Sequence, residues 1–332
     1  MTLPVVPLHD PVAHPLAGSD LTPAQVRELV EEIRALQKAE DAVILAHNYQ
    51  LPEVQQIADF VGDSLQLAVQ AQRAPQSTIV FCGVHFMAEP AKLLNPGKRV
   101  LLPNLSAGCS LADSITPESL EDWKARYPEH AVVTYVNSSA EVKALSDICC
   151  TSANAASVVR SLPQRKILFT PDKNLGRWVA GKVPEKEVVV YDGACPVHDV
   201  VRGSSVERVK GSRPEAVLIA HPECREDVLA MADEVCSTTA MVSAVARHPE
   251  AHTFIVATEH GILHQMRKRW PDKEFIVADG CVGCRMHCPY MKMVDLLMVR
   301  SALREGKHVI EVPPDVAAGA RRALERMIAV PR

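Results

Sequence analysis

Asp59-Phe60-Val61-Gly62-Asp63-Ser64 decides the fold, because its design occurs twice more in the chain. The copies are Asp147-Ile148-Cys149-Cys150-Thr151-Ser152 and Asp233-Glu234-Val235-Cys236-Ser237-Thr238. Each opens on an Asp, reaches Ser or Thr five residues later, and runs into an Ala-rich helical stretch. The copies begin at 59, 147 and 233, so the spacings are 88 and 86 residues. Upstream of each lies a short apolar strand that ends in polar residues: 43–46 before His47-Asn48-Tyr49, 132–135 before Val136-Asn137, and 217–220 before His221-Pro222-Glu223. Downstream come a second strand (79–82, 166–169, 254–257) and a third (100–102, 188–191, 275–278).

A fixed period with matching neighbours on both sides implies one architecture per unit. Strands that alternate with helices imply parallel βαβ units with right-handed crossovers. Their unbroken apolar character fits sheets covered on both faces. The expected fold is therefore α/β, with three homologous α/β/α sandwich domains related by pseudo-threefold symmetry and the active site at their junction. The expected division is an N-terminal arm and covering helix over 1–39, repeats over 40–130 and 131–214, and a third repeat with C-terminal helices over 215–332. The covering helix is announced by Thr22-Pro23-Ala24-Gln25, which reads as an N-cap, a proline at the first helical position and a capping-box Gln.

Composition narrows the function. Of 332 residues, 47% are apolar and 23% are charged, with a formal net charge of −4, which gives no footprint for nucleic acid. No apolar run reaches the roughly 18 residues that span a bilayer. Residues 1–20 carry no Lys or Arg and are interrupted by Pro4, Pro7, Pro11 and Pro15, unlike a signal peptide. A cytoplasmic protein is expected, and its ten cysteines then point to metal or catalysis rather than disulfides. Cys82, Cys149, Cys150, Cys224 and Cys236 sit in or beside apolar runs and read as small core residues.

Parallel sheets bind ligands beyond the carboxyl ends of their strands, where each repeat places its polar residues. Each third strand is followed by a cysteine loop: Ser106-Ala107-Gly108-Cys109, Gly193-Ala194-Cys195-Pro196-Val197-His198, and Cys281-Val282-Gly283-Cys284-Arg285-Met286-His287-Cys288-Pro289. Cys109 and Cys195 are 86 residues apart, and a further 86 falls on Cys281. One thiolate per repeat suits a soft metal centre. Three ligands leave one iron of a four-iron cluster open as a Lewis acid; a zinc with three thiolates and water is the alternative. The Ser and Thr residues of the repeated segment read as helix N-caps, whose free N–H groups favour phosphate or carboxylate. His47, Tyr49, Tyr135, Asn137, His221 and Glu223 stand at strand ends. Glu223 is the expected proton-transfer group, because a carboxylate in a closed cavity can have its pKa raised towards neutrality.

Six segments carry a resemblance: 46–50 (AHNYQ), 82–89 (CGVHFMAE), 134–138 (TYVNS), 171–176 (PDKNLG), 221–224 (HPEC) and 288–293 (CPYMKM). In that order, over about 40–305, they closely resemble the quinolinate synthase family. The resemblance implies a 4Fe-4S cluster and the condensation of iminoaspartate with dihydroxyacetone phosphate to quinolinate, phosphate and water in NAD biosynthesis. L-aspartate oxidase or aspartate dehydrogenase would supply the iminoaspartate, and the open iron would assist the dehydration. The implied cluster ligands are Cys109, Cys195 and Cys288, and the implied substrate site is His47, Tyr49, Ser64, Tyr135, Asn137, Ser152, His221, Glu223, Ser237 and Thr238. Glu223 and Tyr135 are the expected proton movers, and His47 and His221 the expected carboxylate holders.

For the third ligand, repeat spacing points to Cys281, whereas the Cys-Pro match with Cys195-Pro196 points to Cys288. Cys281 and Cys284 are also close enough in sequence to form a redox-sensitive pair. A reductive dehydratase of the isoprenoid-pathway type, also with three cysteines in a three-part body, is the alternative enzyme.

Overall fold

In this computed structural model, which describes residues 21–278 and 286–331, the repeated Asp ties each unit together in the same way. Asp59 Oδ2 accepts from the Ile44 N–H at 2.8 Å, Asp147 Oδ2 from Val132 at 2.7 Å, and Asp233 Oδ2 from Leu218 at 2.8 Å. The Asp amide returns a bond to the same residue's carbonyl in all three cases. The carboxylate thus satisfies a strand amide that would otherwise be buried without an acceptor. Asp147→Ala is expected to cost about 1–3 kcal/mol, the usual penalty for such an orphaned donor. A urea midpoint unchanged from wild type would contradict this.

The strands form three four-stranded sheets. β1 (Ala42–His47), β2 (Phe60–Gly62), β3 (Thr78–Cys82) and β4 (Arg99–Leu101) make the first, in the order β2-β1-β3-β4. β5 (Ala131–Tyr135), β6 (Ile148–Cys150), β7 (Lys166–Thr170) and β8 (Glu187–Val190) make the second, in the order β6-β5-β7-β8. β9 (Val217–Ala220), β10 (Glu234–Val235), β11 (Thr253–Ala257) and β12 (Glu274–Val277) make the third, in the order β10-β9-β11-β12. All of these pairings are parallel, so the expected α/β class and parallel sheets are present.

One element differs from the sequence reading. The repeated Asp segment itself contains the edge strand β2, β6 or β10, where only a helical stretch was expected. Two or three residues are too few for a periodic signal, and the pairing is made by the Asp bridge and the neighbouring strand.

The covering helix, Pro23–Ala39, begins at Thr22 with the expected capping box: Gln25 N–H donates to Thr22 Oγ1 and the Gln25 side chain accepts from the Thr22 amide at 2.8 Å. Leu29 and Ile33 bury against the first sheet's core. At the other end of the chain, helix Pro314–Ala329 lies on helix Ala140–Ala144 and β6. Their approach depends on Gly319, where a Cβ would stand 2.8 Å from the Ala144 carbonyl oxygen. This helix shares one apolar cluster with the second sheet and with Leu65 and Leu93 of the first unit, so the C-terminus bridges two repeats. Residues 1–20, read from sequence as a loose arm, lie outside the described residues, as do Cys281 and Cys284. Among the described residues no helix is long and apolar enough to cross a membrane.

Candidate active site

Each sheet reverses its strand order between its first and third strands, and such a switch point opens a crevice beyond the strand ends. The three crevices face one cavity, whose lining draws on all three units. Because Ile44, Val132 and Leu218 are equivalent, counting on from them shows which residues correspond. His47, Tyr135 and His221 share one position; Tyr49, Asn137 and Glu223 share the next inward-facing one. Ser64, Ser152 and Thr238 share a third. All nine line the cavity, together with Cys109, Cys195 and Cys288. Ser237 is buried but is not among the lining residues.

The helix caps correct the sequence reading. Asp63, not Ser64, caps helix Ser64–Arg73 by accepting from the Gln66 amide. Asn154 stands at the cap position of helix Ala155–Ser161 and Ser237 at that of helix Thr238–Ala244, neither with a capping bond from its side chain. Asp and Asn are at least as good caps as Ser. Neither Ser64 nor Ser152 stands at a cap position, and both line the cavity.

The histidine tautomers follow from local bonds. Tyr49 N–H donates to His47 Nδ1 at 3.2 Å, and Glu223 N–H donates to His221 Nδ1 at 3.3 Å. Both rings therefore carry their hydrogen on Nε2. His221 Nε2 lies 3.2 Å from Ser152 Oγ. Burial, followed by His221 and Lys292, lowers His47 to about 3, and burial lowers His221 to about 3.

This has a consequence for stability. The unfolded rings titrate near 6.5. Between 6.5 and about 3 the unfolded state takes up protons that the folded state excludes. The stability is full above pH 6.5 and falls as pH drops, by up to about 1.4 kcal/mol per pH unit for each ring. Metal-free protein should lose melting temperature between about pH 6.5 and 4.5, and a double His47→Gln, His221→Gln variant should show a flatter profile there. An equally steep profile in the double variant would contradict the assignment.

Glu223 departs from expectation. Burial alone would raise its pKa, but His198, His221 and the Tyr135 hydroxyl outweigh burial and lower it to about 2. It is therefore held as a carboxylate rather than poised near neutrality. Tyr135 donates to Glu223 Oε1 at 2.6 Å, and His198 Nδ1 lies 2.8 Å from Oε2. Burial and the neighbouring carboxylate raise the Tyr135 hydroxyl well above its ordinary value, so it stays protonated. The chain of contacts continues: His198 Nε2 is 2.8 Å from Thr258 Oγ1, which is 2.5 Å from the Tyr49 hydroxyl. Tyr49, Thr258, His198, Glu223 and Tyr135 thus form one hydrogen-bonded line through all three units, able to move a proton across the cavity.

His198 and Thr258 were not singled out as site residues from the sequence. His198 stood in a quoted motif, three residues after Cys195; one turn of helix Pro196–Asp199 brings its Nδ1 to 3.2 Å from the Cys195 sulfur and stacks its ring 4.8 Å from His221. Thr258, the first residue after β11, carried no such signal. Lys143 was also unforeseen. It is fully buried behind the cavity wall, over the Phe86 ring, and bonds to the Ser138 carbonyl at the base of the Tyr135 loop.

The donor set fits a soft metal centre. The three cavity thiols come from three separate units, and each is free of disulfide. Burial pushes Cys109 up to about 12 and raises Cys195 and Cys288, and a second thiol raises Cys109 and Cys195 further. Thiols gathered out of water and opposing one another's ionisation are what a metal's charge would offset. Cys195, His198 and Glu223 also lie within 4.8 Å of one another through their ligand atoms, enough for a single metal ion. Cys82, Cys149, Cys150 and Cys224 are buried in the core as expected, while Cys236 is only half-buried.

Fold and cavity together define a three-repeat α/β protein with a buried, metal-competent active site. The family model described as quinolinate synthetase A protein matches residues 31–329. Relatives named quinolinate synthase include those of Thermodesulfovibrio yellowstonii, 48% identical over 91% of this chain and 98% of the relative, and Geotalea uraniireducens, 49% identical over 92% and 98%. The relative from Pelobacter propionicus is 51% identical over 91% and 98%. The chain belongs to the quinolinate synthase family and is an enzyme. The reductive-dehydratase alternative is not favoured.

Proposed function

We propose that the protein condenses iminoaspartate with dihydroxyacetone phosphate to give quinolinate, phosphate and water, as its family membership and site chemistry together support. The observation that carries this reading is the convergence of Cys109, Cys195 and Cys288 on the cavity that also gathers neutral histidines, hydroxyls and an ionised Glu223. Those three thiolates would hold a 4Fe-4S cluster, whose fourth iron, left without a protein ligand, supplies Lewis acidity for dehydration.

The remaining roles belong to the chain's own groups. The Nε2–H donors of His47 and His221 hold carboxylates of iminoaspartate. The hydroxyls of Ser64, Ser152 and Thr238 hold phosphate and carboxylate groups. Asn137 Oδ1, buried and without a partner among the described residues, is placed to accept from the substrate nitrogen. Tyr135 delivers a proton and Glu223 accepts one, with His198, Thr258 and Tyr49 behind them. With two waters released per quinolinate, substrate atoms balance product atoms without an external oxidant or reductant, so no electron-transfer partner is required. Iminoaspartate comes from oxidation of aspartate, by L-aspartate oxidase or aspartate dehydrogenase. The reducing cytoplasm suits both free thiols and a cluster.

Metal analysis of anaerobically purified protein tests the cofactor reading. About four iron and four sulfide per chain are expected. Stoichiometric zinc without sulfide would refute it and would favour a one-metal site at Cys195, His198 and Glu223.

A further inference from the structure

We propose that Asp172 and Glu259 are positioning residues that grip the backbone amides of Cys195 and Cys288 and so fix the aim of these two thiolates. This inference rests on the cluster reading above.

The two carboxylates occupy one position of the repeat. Leu168 of β7 pairs with Val132, and Ile255 of β11 pairs with Leu218; Val132 and Leu218 are the equivalent residues tied by the repeated Asp. Asp172 and Glu259 each stand four residues beyond, at the strand's carboxyl end. Both are fully buried, and each divides its two oxygens in the same way. Asp172 Oδ1 accepts from the Leu175 amide at 2.7 Å, in the first turn of the following helix, and Oδ2 accepts from the Cys195 amide at 3.0 Å. Glu259 Oε2 accepts from the Gly261 amide at 2.7 Å, and Oε1 accepts from the Cys288 amide at 3.2 Å. Lys292 lies 3.0 Å from Glu259 Oε1 and offsets its charge.

The first unit confirms that this device is specific to two loops. The equivalent residue there is Val84, four beyond Val80, which pairs with Ile44. The loop before Cys109 is held instead by a backbone bond from His85 N–H to the Ala107 carbonyl at 2.8 Å.

The matched bonds also make Cys288 the spatial counterpart of Cys195. Each is followed by proline and a short helical turn, Pro196–Asp199 or the 3-10 turn Tyr290–Lys292. Linear spacing pointed to Cys281 because the third loop is longer. At Cys195 the loop has no slack: a Cβ on Gly193 would meet the Pro171 carbonyl oxygen at 2.6 Å.

An isosteric amide separates gripping the loop from filling space. Asn or Gln keeps one oxygen acceptor but turns the other arm into a donor, which would face an N–H. Asn also remains a good helix cap, so Asp172→Asn can keep its bond to Leu175 while losing the one to Cys195. Cluster-loaded Asp172→Asn and Glu259→Gln proteins are treated anaerobically with an iron chelator. The readouts are the rate of iron release, the melting temperature of the metal-free forms, and hydrogen exchange of the peptide that contains Cys195. Iron release about tenfold faster or more is expected, the scale of lost outer-shell support at metal sites. The metal-free forms should melt near the wild-type temperature, and the Cys195 peptide should exchange faster in Asp172→Asn.

Release at the wild-type rate in both variants would overturn the inference. So would faster release accompanied by loss of the cooperative melt, which would mark a role in folding alone. Cys195→Ser and Cys288→Ser proteins serve as references. If they keep full clusters, the ligand reading fails; if they lose them while both amide variants retain iron as wild type does, only the positioning role fails.

Discussion

Serine at Cys109, Cys195 or Cys288 is expected to abolish assembly of a full cluster and to lower turnover roughly a thousandfold, the several kcal/mol that a Lewis-acidic metal contributes. The expectation follows from geometry. The three thiols line one cavity but belong to three different units, so no two can close the site without the third. A serine oxygen is a hard donor and does not replace a thiolate towards iron. Serine at Cys281 or Cys284 should leave iron content and turnover near wild type. A full cluster in Cys288→Ser, with iron lost from Cys281→Ser, would assign the third ligand to Cys281 and contradict the spatial match with Cys195. Iron and sulfide determinations on the five anaerobically purified variants decide the matter.

Glu223→Gln and Tyr135→Phe carry the second large effect. Each should lower kcat by about 10²–10⁴, the usual contribution of a positioned proton-transfer group, while leaving iron content unchanged. Glutamine removes the charge that His198 and Tyr135 address, and it presents a donor to one of two groups that already donate. Phenylalanine removes the hydroxyl proton that Tyr135 donates to Glu223. The loss should fall on kcat more than on KM if the pair acts in bond-making steps rather than in holding substrate. Glu223→Gln within tenfold of wild-type kcat, with its cluster intact, would remove Glu223 from the proton path.

Much of the fold was legible because one short segment recurs. The Asp at 59, 147 and 233 is a structural signature: it makes the same bond to the same strand position three times. That bond fixes the register, and the register identifies His47, Tyr135 and His221 as equivalents although their residue types differ. The short strands β2, β6 and β10 were not legible, since their pairing depends on a neighbour rather than on periodicity.

Within the site, which residues line the cavity was legible and electrostatics was not. Glu223 was expected to be pushed towards neutrality by burial, yet two histidines and a tyrosine hydroxyl reverse the direction. Of these, His198 comes from another unit's cysteine loop, and no pattern along the chain announces that approach. Thr258 has the same character: its hydroxyl matters because Tyr49 and His198, 209 and 60 residues away, both reach it. The capping error at Ser64 has a simpler cause. Asp63 and Ser64 are adjacent, both are competent caps, and the backbone decides between them.

The most direct test is anaerobic incubation of fully cluster-loaded protein with iminoaspartate and dihydroxyacetone phosphate, without added reductant, followed by mass-spectrometric detection of product. Quinolinate should accumulate over many turnovers with phosphate released in equal amount. A loaded protein that forms no quinolinate, or forms it only when a reductant is supplied, would contradict the account.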